Sequence, residues 1–174
     1  MKTLLTIVLF VSLGLCISCD LGLGINEPTE LEKLPPLTTT GENTFGCLVN
    51  GEAFVVKNTS KQVAIFQQGQ LQFGGNIDKD DLDEGLSILI GDPIEINETY
   101  IHAMEPSFFT RYYLRTSAFN CRYEVEDTYK GSITFAKIDR TDFIISGTFE
   151  FSSATDECDT VHITDGRFDM QYIP

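Results

Sequence analysis

From Thr44 to the C-terminus, short apolar runs alternate with residues that form tight turns, and this pattern restricts the fold more than any other feature of the chain. Asn50-Gly51 separates the apolar run 45–49 from the run 53–56, and an Asn-Gly pair accepts the positive φ angles of a type I′ turn. Gln68-Gly69 separates the next two runs in the same way. Apolar runs of this length between turn signals predict β-strands joined as hairpins.

The C-terminal third shows the alternation of half-buried strands. Ile145, Gly147, Phe149 and Phe151 occupy every second position, with polar residues between them, and a final pair of runs over residues 161–172 is interrupted by an Asp-Gly pair. Short connections predict that strands adjacent in sequence are antiparallel neighbours in space. We therefore predict an all-β fold, an antiparallel meander of about nine or ten strands that forms either a sandwich or a lipocalin-like barrel.

The N-terminus has the pattern of a secretion signal. Lys2 precedes an apolar stretch over residues 4–15, and Asp20 ends it short of the about 20 apolar residues that a membrane-spanning helix requires. Ser18-Cys19 follows this stretch. Bacterial lipoprotein signals resemble this arrangement, in which a small residue precedes the Cys whose thiol receives diacylglycerol. Cys19 is therefore the predicted lipidation site.

Two alternatives to lipidation at Cys19 remain open. Cys16 is a second thiol, although it follows the bulky Leu15, and it occupies the position three before Cys19 where Leu is usual. The other alternative is an ordinary signal peptide that is cut near Ser18 and leaves Cys19 as a spare cysteine.

Three regions follow from these patterns. We predict a lipoprotein signal peptide over residues 1–18, a lipid-anchored flexible linker over 19–43, and a single β domain over 44–174. The linker is rich in Pro, Gly and Thr, which form neither helix nor sheet readily.

The net charge limits the partners of the chain. The full sequence carries a formal charge of −14, and loss of Lys2 with the signal peptide makes it −15. Such acidity repels phosphate backbones and anionic headgroups, so nucleic acid is not an expected partner. We expect the membrane to be a partner through the acyl chains of the anchor, because each buried CH₂ contributes about 0.8 kcal/mol.

Beyond the signal region the chain has three cysteines, Cys47, Cys121 and Cys158. If the strand near residues 133–138 pairs with 143–151, the chain returns after Phe151 towards the residues before Gly131. This return brings Cys158 near Cys121 and predicts a disulfide between them, with Cys47 unpaired. The alternative is that all three are buried thiols.

Several blocks of the chain resemble a family of uncharacterised lipoproteins from Bacteroidetes. The opening block is 43–54, and the C-terminal blocks are 129–134, 145–151 (Ile-Ser-Gly-Thr-Phe-Glu-Phe) and 161–169, which contains Ile-Thr-Asp-Gly-Arg-Phe. The resemblance implies a small exported β domain of unknown function and implies no catalytic residues. Surface-exported lipoproteins of Bacteroidetes tend to carry an acidic cluster after the lipidated Cys, whereas Asp20 stands alone here. We therefore expect attachment to the outer membrane, with the periplasmic face favoured over the cell surface.

No motif in the chain predicts catalysis or metal binding. The chain has two histidines, His102 and His162, but no Gly-x-Ser-x-Gly motif that would supply a catalytic nucleophile. No spacing of His or Cys residues is typical of a zinc-binding site. The acidic run 78–85 departs from the EF-hand pattern at Leu82 and Leu89, so we expect a solvated loop there. We expect no catalytic residue, no metal and no cofactor.

The segment 108–115 contains the candidate ligand-binding residues. In a strand, Phe109, Arg111, Tyr113 and Arg115 share one face, which pairs two aromatic rings with two of the few cations of an acidic chain. Aromatic rings stack on sugars, and Arg donates forked hydrogen bonds to carboxylates or phosphates. The alternative is ordinary cross-strand pairing, in which the arginines neutralise acids such as Glu124 or Glu126.

These observations favour a non-enzymatic binding or interaction module of the cell envelope, whose ligand would be a protein, a glycan or a small molecule. One alternative is a lipocalin-like carrier of a small apolar ligand, which requires that the many Phe side chains leave an internal cavity. A less favoured alternative is an envelope hydrolase, which requires a histidine beside a nucleophile and a carboxylate.

Overall fold

The computed structural model describes residues 27–102 and 108–174, and β-strands are its main regular structure. Cys19, Cys16 and the signal segment lie outside the described residues. Eleven strands are present in the described part: β1 Thr44–Val49, β2 Glu52–Val55, β3 Gln62–Gln67, β4 Gln70–Lys79, β5 Leu82–Gly91, β6 Thr99–Ile101, β7 Phe108–Arg115, β8 Asn120–Tyr123, β9 Thr128–Asp139, β10 Ile144–Ser153 and β11 Val161–Gln171. Three short 3₁₀ turns lie at Leu31–Lys33, Thr59–Lys61 and Val125–Asp127. Within the described residues, no helix has the length and apolar character needed to cross a membrane.

The strands form two antiparallel sheets that pack as a β-sandwich. The first sheet has the order β2-β1-β11-β10-β9-β6, and the second has the order β3-β4-β5-β7-β8. The predicted all-β class is confirmed, and of the two predicted architectures the sandwich is correct and the closed barrel is wrong. The fold is also not a simple meander, because β1 pairs with β11 from the opposite end of the chain.

The turn signals form the hairpins that they predict. Asn50 and Gly51 have φ angles of 50° and 89° and join β1 to β2, while Gln68 and Gly69, at 52° and 76°, join β3 to β4. Positive φ at both central positions is the geometry that matches the twist of paired strands. The final runs differ from the expectation, because residues 161–171 form one strand whose pairing with β10 shifts register between Phe149 and Phe151. The predicted interruption at Asp165 is thus an irregularity within a strand.

Phenylalanine rings fill the space between the sheets. Among the described residues, seven Phe side chains are fully buried: Phe45, Phe54, Phe73, Phe108, Phe135, Phe151 and Phe168. Phe73 of the second sheet lies 4.6 Å from Phe168 and 6.3 Å from Phe135 of the first, measured between ring centroids. Each buried Phe stabilises the fold by about 1.5–3 kcal/mol, so this cluster holds the two sheets together.

The segment before β1 is attached to the domain. Asp169 of β11 is almost fully buried, and its carboxylate accepts hydrogen bonds from Thr38 Oγ1 at 2.6 Å and from the backbone N–H groups of Thr40, Gly41 and Glu42 at 2.8–3.2 Å. The prediction of a flexible linker up to residue 43 is therefore wrong for its C-terminal part. The reason is a contact across about 130 positions of sequence, which local composition does not encode. We call residues 30–42 the strap.

The strap also covers a sheet edge. Glu30 Oε2 accepts a 2.9 Å hydrogen bond from the backbone N–H of Ala53 in the edge strand β2. Leu34 is buried, and Arg167 donates to the backbone carbonyl of Pro35 at 3.1 Å. The contact with Ala53 therefore occupies one backbone donor of this edge strand, which would otherwise be available for pairing with another chain.

Candidate functional site

The ligand-binding residues predicted from the sequence lie on the outer face of the second sheet. Phe109, Arg111, Tyr113 and Arg115 alternate along β7 with the inward-facing Phe108, Tyr112 and Leu114. Tyr113 lies opposite Gly85 of β5, where an added Cβ would come within 2.4 Å of the tyrosine ring. The ring therefore lies across the backbone of β5, beside an open groove of about 460 Å³ that it shares with Arg111 and Arg122.

The arginines of this face are engaged in ion pairs within the domain. Arg111 Nε lies 3.0 Å from Glu124 Oε2, and Arg122 binds the other oxygen of the same carboxylate. The Arg122 hydrogen bond, together with the charges of both arginines, lowers the pKa of Glu124. Arg115 binds Asp83, which also accepts a 3.1 Å hydrogen bond from the Tyr113 hydroxyl. This geometry is the cross-strand neutralisation that we gave as the alternative, with Glu124 as one of its acids.

A larger concave site, which the sequence did not reveal, opens between the two sheets at one end of the sandwich. It is a cleft of about 930 Å³. One wall is formed by β2 and by the adjacent ends of β1 and β11, and the other by β4, β5, β7 and β8. Most of its lining side chains are apolar or aromatic: Val49, Ala53, Phe54, Ile77, Leu82, Leu114, Phe119, Tyr112, Tyr123 and Val161.

Glu84 is the carboxylate inside this cleft. Its Oε1 accepts a 2.6 Å hydrogen bond from the Tyr112 hydroxyl, and both side chains line the cleft. Burial raises the pKa of Glu84, the Tyr112 hydrogen bond partly opposes that rise, and the charge of Glu52 adds to it. Burial also raises the pKa of Tyr112 well above its ordinary value, and the adjoining Glu84 carboxylate adds to this effect. A carboxyl group with a perturbed pKa in an apolar cleft is typical of functional sites.

The expected solvated loop over residues 78–85 is instead the end of the β4–β5 hairpin. The turn lies at Asp80 and Asp81, where Asp80 has a φ of 54°. Strand β5 begins at Leu82, so Glu84 extends the inward-facing series Leu86, Ile88 and Ile90. The period of two in these residues is a signal that Glu84 faces the interior of the sandwich. The acidic residues next to it in sequence favour a loop instead, and this is why the sequence does not predict its position.

The rim of the cleft is acidic. Glu52, Asp156, Glu157 and Asp159 lie around the mouth together with Asn50 and Thr160. Of the residues that the structure describes around this cleft, none is Lys, Arg or His. The local field at the mouth is therefore negative, and it favours the approach of cations.

A disulfide fixes one side of the mouth. The structure joins Cys121 of β8 to Cys158, the pair that the predicted strand return favoured, with their Cα atoms 5.9 Å apart. The Tyr123 hydroxyl donates to the backbone carbonyl of Asp159 in the same loop. Cys47 is buried and is the free cysteine of the described residues. Burial raises the pKa of its thiol, and the Glu84 charge adds to that rise, which disfavours the nucleophilic thiolate form.

Neither histidine lies in a catalytic triad within the described part of the chain. His102 Nδ1 is 3.3 Å from the carbonyl of Phe108, and His162 Nδ1 is 3.0 Å from Ser152 Oγ. Ser152 is buried, and no carboxylate among the described residues hydrogen-bonds to either imidazole. Within residues 27–102 and 108–174, no cluster of three or more His, Cys, Asp or Glu side chains could hold a metal ion.

Comparisons with protein-family models, with curated proteins and with solved structures find no significant match to this chain.

Proposed function

We propose that this chain is a lipid-anchored, non-enzymatic binding module of the bacterial cell envelope, and that it holds a small ligand in the cleft between its two sheets. The observation that carries the proposal is the cleft itself. Its volume of about 930 Å³ falls in the range of roughly 300–1,000 Å³ that is usual for small-molecule sites. Its lining is mainly apolar, with Glu84 and Tyr112 as inward polar groups, a combination that fixes the orientation of a ligand.

The proposed binding mode differs from that of a lipocalin. In a lipocalin-like carrier the ligand would occupy the centre of a barrel. Here the centre is filled by rings such as Phe45, Phe73 and Phe168, and the space for a ligand lies at the end of the sandwich. The ligand would therefore be held between the sheet ends and remain reachable from solvent through the mouth.

The proposed anchor brings this end of the domain towards the membrane. The strap begins with Glu30, which contacts Ala53, and Ala53 lines the cleft. Seven residues, and so eight Cα–Cα steps, separate Cys19 from Glu27, the first described residue. At about 3.5 Å per residue this stretch spans at most roughly 28 Å. A lipid at Cys19 would thus hold the cleft within a short distance of the outer membrane, with the periplasmic face as the proposed side.

A second candidate surface is the outer face around Tyr113. The position of its ring across Gly85, beside a groove of about 460 Å³, would suit stacking by a sugar ring. Tyr113→Ala tests this surface, since a glycan that binds there would lose affinity while binding in the cleft stays unchanged.

Filling the mouth of the cleft tests the main proposal. Thr160 is exposed and lines the cleft, so Thr160→Trp narrows the entrance without touching the core. We expect the neutral apolar dye N-phenyl-1-naphthylamine to fluoresce with the unmodified domain and to lose most of this signal with Thr160→Trp. The matched control is Thr141→Trp, because Thr141 is exposed and does not line the cleft. Equal signals from the two variants would contradict the proposal.

A further inference from the structure

The charges around the cleft indicate which ligands it would accept. Five acids line it, namely Glu52, Glu84, Asp156, Glu157 and Asp159, and among the described lining residues there is no basic side chain to balance them. An anionic ligand would be repelled by the acids of the rim and again by Glu84. A neutral ligand would gain nothing from these charges, whereas a cation would be attracted at both positions.

Glu84 lines the cleft and has a second acceptor oxygen, Oε2. The Tyr112 hydroxyl occupies Oε1, and no other hydrogen bond to this carboxylate is present within the described residues. A charge-assisted hydrogen bond from an ammonium group is about twice as strong as a neutral one, and stronger in an apolar surrounding than in water. A ligand amine would therefore supply the positive partner that this half-buried carboxylate lacks among the described residues.

Aromatic rings form the floor of the cleft, and partly exposed apolar side chains lie beside them. Tyr112 and Tyr123 lie with ring centroids 5.7 Å apart, and both line the cleft beside Glu84. Both side chains are almost fully buried, so they present little surface to a ligand, and the attraction of a cation rests on Glu84 and the acidic rim. Ile77, Leu114 and Phe119 offer apolar surface to the remainder of a ligand.

We propose that the ligand of the cleft is an amphipathic amine, with its protonated nitrogen on Glu84 and its apolar body against Ile77, Leu114 and Phe119. This inference rests on the proposed function, that the cleft is a binding site, and it adds the chemical class of the ligand. Recognition is by charge and apolar contact, so primary amines and substituted ammonium groups belong to the same class.

Three dansyl probes of similar size separate charge from apolar contact. Dansylcadaverine carries a primary amine, its N-acetyl derivative is neutral, and 6-(dansylamino)hexanoic acid is anionic. We expect dansylcadaverine to bind the wild-type domain at least about 10-fold more tightly than the neutral probe, and the anionic probe to bind most weakly. In Glu84→Gln the advantage of the amine should fall to about 2-fold or less.

Two further variants keep the test decisive if Glu84→Gln folds poorly. Glu157→Gln removes one exposed charge of the rim and should weaken the amine probe by about 2-fold, more at low salt than at high salt. Glu150→Gln removes an exposed acid of β10 that does not line the cleft and should leave all three affinities unchanged.

Each outcome bears on a separate claim. Equal affinities for the three probes, blocked by Thr160→Trp, would overturn the amine inference and leave the cleft as a binding site. Binding of the amine that neither Glu84→Gln nor Glu157→Gln weakens would also overturn the inference. Failure of all three probes to bind the wild-type domain would overturn the proposed function together with the inference.

Discussion

The Tyr112 hydroxyl donates a 2.6 Å hydrogen bond to Glu84 Oε1 inside the cleft between the two sheets. Tyr112 comes from β7 and Glu84 from the adjacent β5, so the pair is held by the register of the second sheet. The hydrogen bond keeps the pKa of Glu84 lower than burial alone would set it. The packing of the second sheet therefore influences the charge state of Glu84, which lies in the proposed ligand site.

Tyr112→Phe should raise the pKa of Glu84 further. The variant removes the hydrogen bond that favours the carboxylate and leaves the burial that opposes it. We expect a loss of about 1 kcal/mol in the free energy of unfolding, with the carboxyl ¹³C signal of Glu84 titrating at higher pH than in the wild type. Tyr113→Phe is the matched control, because its hydroxyl binds Asp83 on the outer face. An unchanged or lower pKa for Glu84 in Tyr112→Phe would contradict the assignment.

Glu84→Gln should make the domain more stable than the wild type at neutral pH. The folded-state pKa of Glu84 is raised above its unfolded value, so its contribution is fully favourable below the unfolded pKa and is lost as pH rises through the folded pKa. Gln keeps a carbonyl that can accept from Tyr112 but carries no charge to bury.

Urea unfolding of both proteins between pH 3 and pH 8 measures this effect. The advantage of the variant should vanish at the acid end and grow as the pH rises through the pKa of Glu84. The charged or titratable groups that share the cleft with Glu84, or act on its charge, are Glu52, Tyr112, Tyr123, Cys47, Asp156, Glu157 and Asp159, and they are present in both proteins. A constant difference across the range would show that Glu84 is not the titrating group.

Local patterns predicted those parts of the fold that local contacts build. The Asn50-Gly51 hairpin and the β9–β10 pairing involve residues close in sequence, and turn chemistry with a period of two is enough to find them. Two other features join residues more than 100 positions apart: the pairing of β1 with β11, and the hydrogen bonds from the strap to Asp169. A single sequence carries no signal for such pairs, since many strands have equivalent alternation.

The two candidate sites differ in the same respect: the outer face of β7 depends on one strand, whereas the cleft depends on both sheets. Alternation placed Tyr113 and Arg111 on one outer face of β7, which is a property of one strand. The cleft needs the ends of both sheets together, so it could not be predicted before the sheets were assembled. The acidic neighbours of Glu84 in sequence predict a solvated position, although its neighbours in space are Tyr112 and Glu52.

Asp169→Asn should release the strap. Burial by itself would raise the pKa of Asp169, but hydrogen bonds from Thr38, Gly41, Glu42 and Thr40 outweigh it and lower the pKa below its usual value. We expect a loss of about 1–3 kcal/mol in the free energy of unfolding and faster proteolysis within residues 30–42.

The effect of Asp169 should depend on pH with a definite sign. A lowered folded-state pKa contributes stability above the unfolded pKa and loses it as the pH falls through the folded pKa. The difference between wild type and Asp169→Asn should therefore shrink on acidification. Asp142→Asn, in the exposed turn after β9, is the control. Unchanged cleavage of the strap in Asp169→Asn would argue against its attachment through this carboxylate.

The disulfide between Cys121 and Cys158 should leave one thiol in a chain that begins at Glu27. This thiol is Cys47, which is buried in the folded state and becomes reactive in denaturant. The bridge spans 37 positions, and in the chain-entropy model a loop of this length stabilises by about 4 kcal/mol. Cys158→Ser should lower stability by roughly this amount at most. Three reactive thiols in the denatured, unreduced wild type would contradict the pairing.

The central claim is that the cleft between the sheets is the binding site, and methyl NMR locates bound ligand most directly. In a domain labelled at Ile, Leu and Val methyl groups, dansylcadaverine should shift the signals of Ile77, Leu82 and Leu114, which line the cleft. It should leave those of Val63 and Leu89, which line the grooves of the outer face, at their original positions. Shifts confined to Val63 and Leu89, with Ile77, Leu82 and Leu114 unmoved at saturation, would place the ligand on the outer face and contradict the claim.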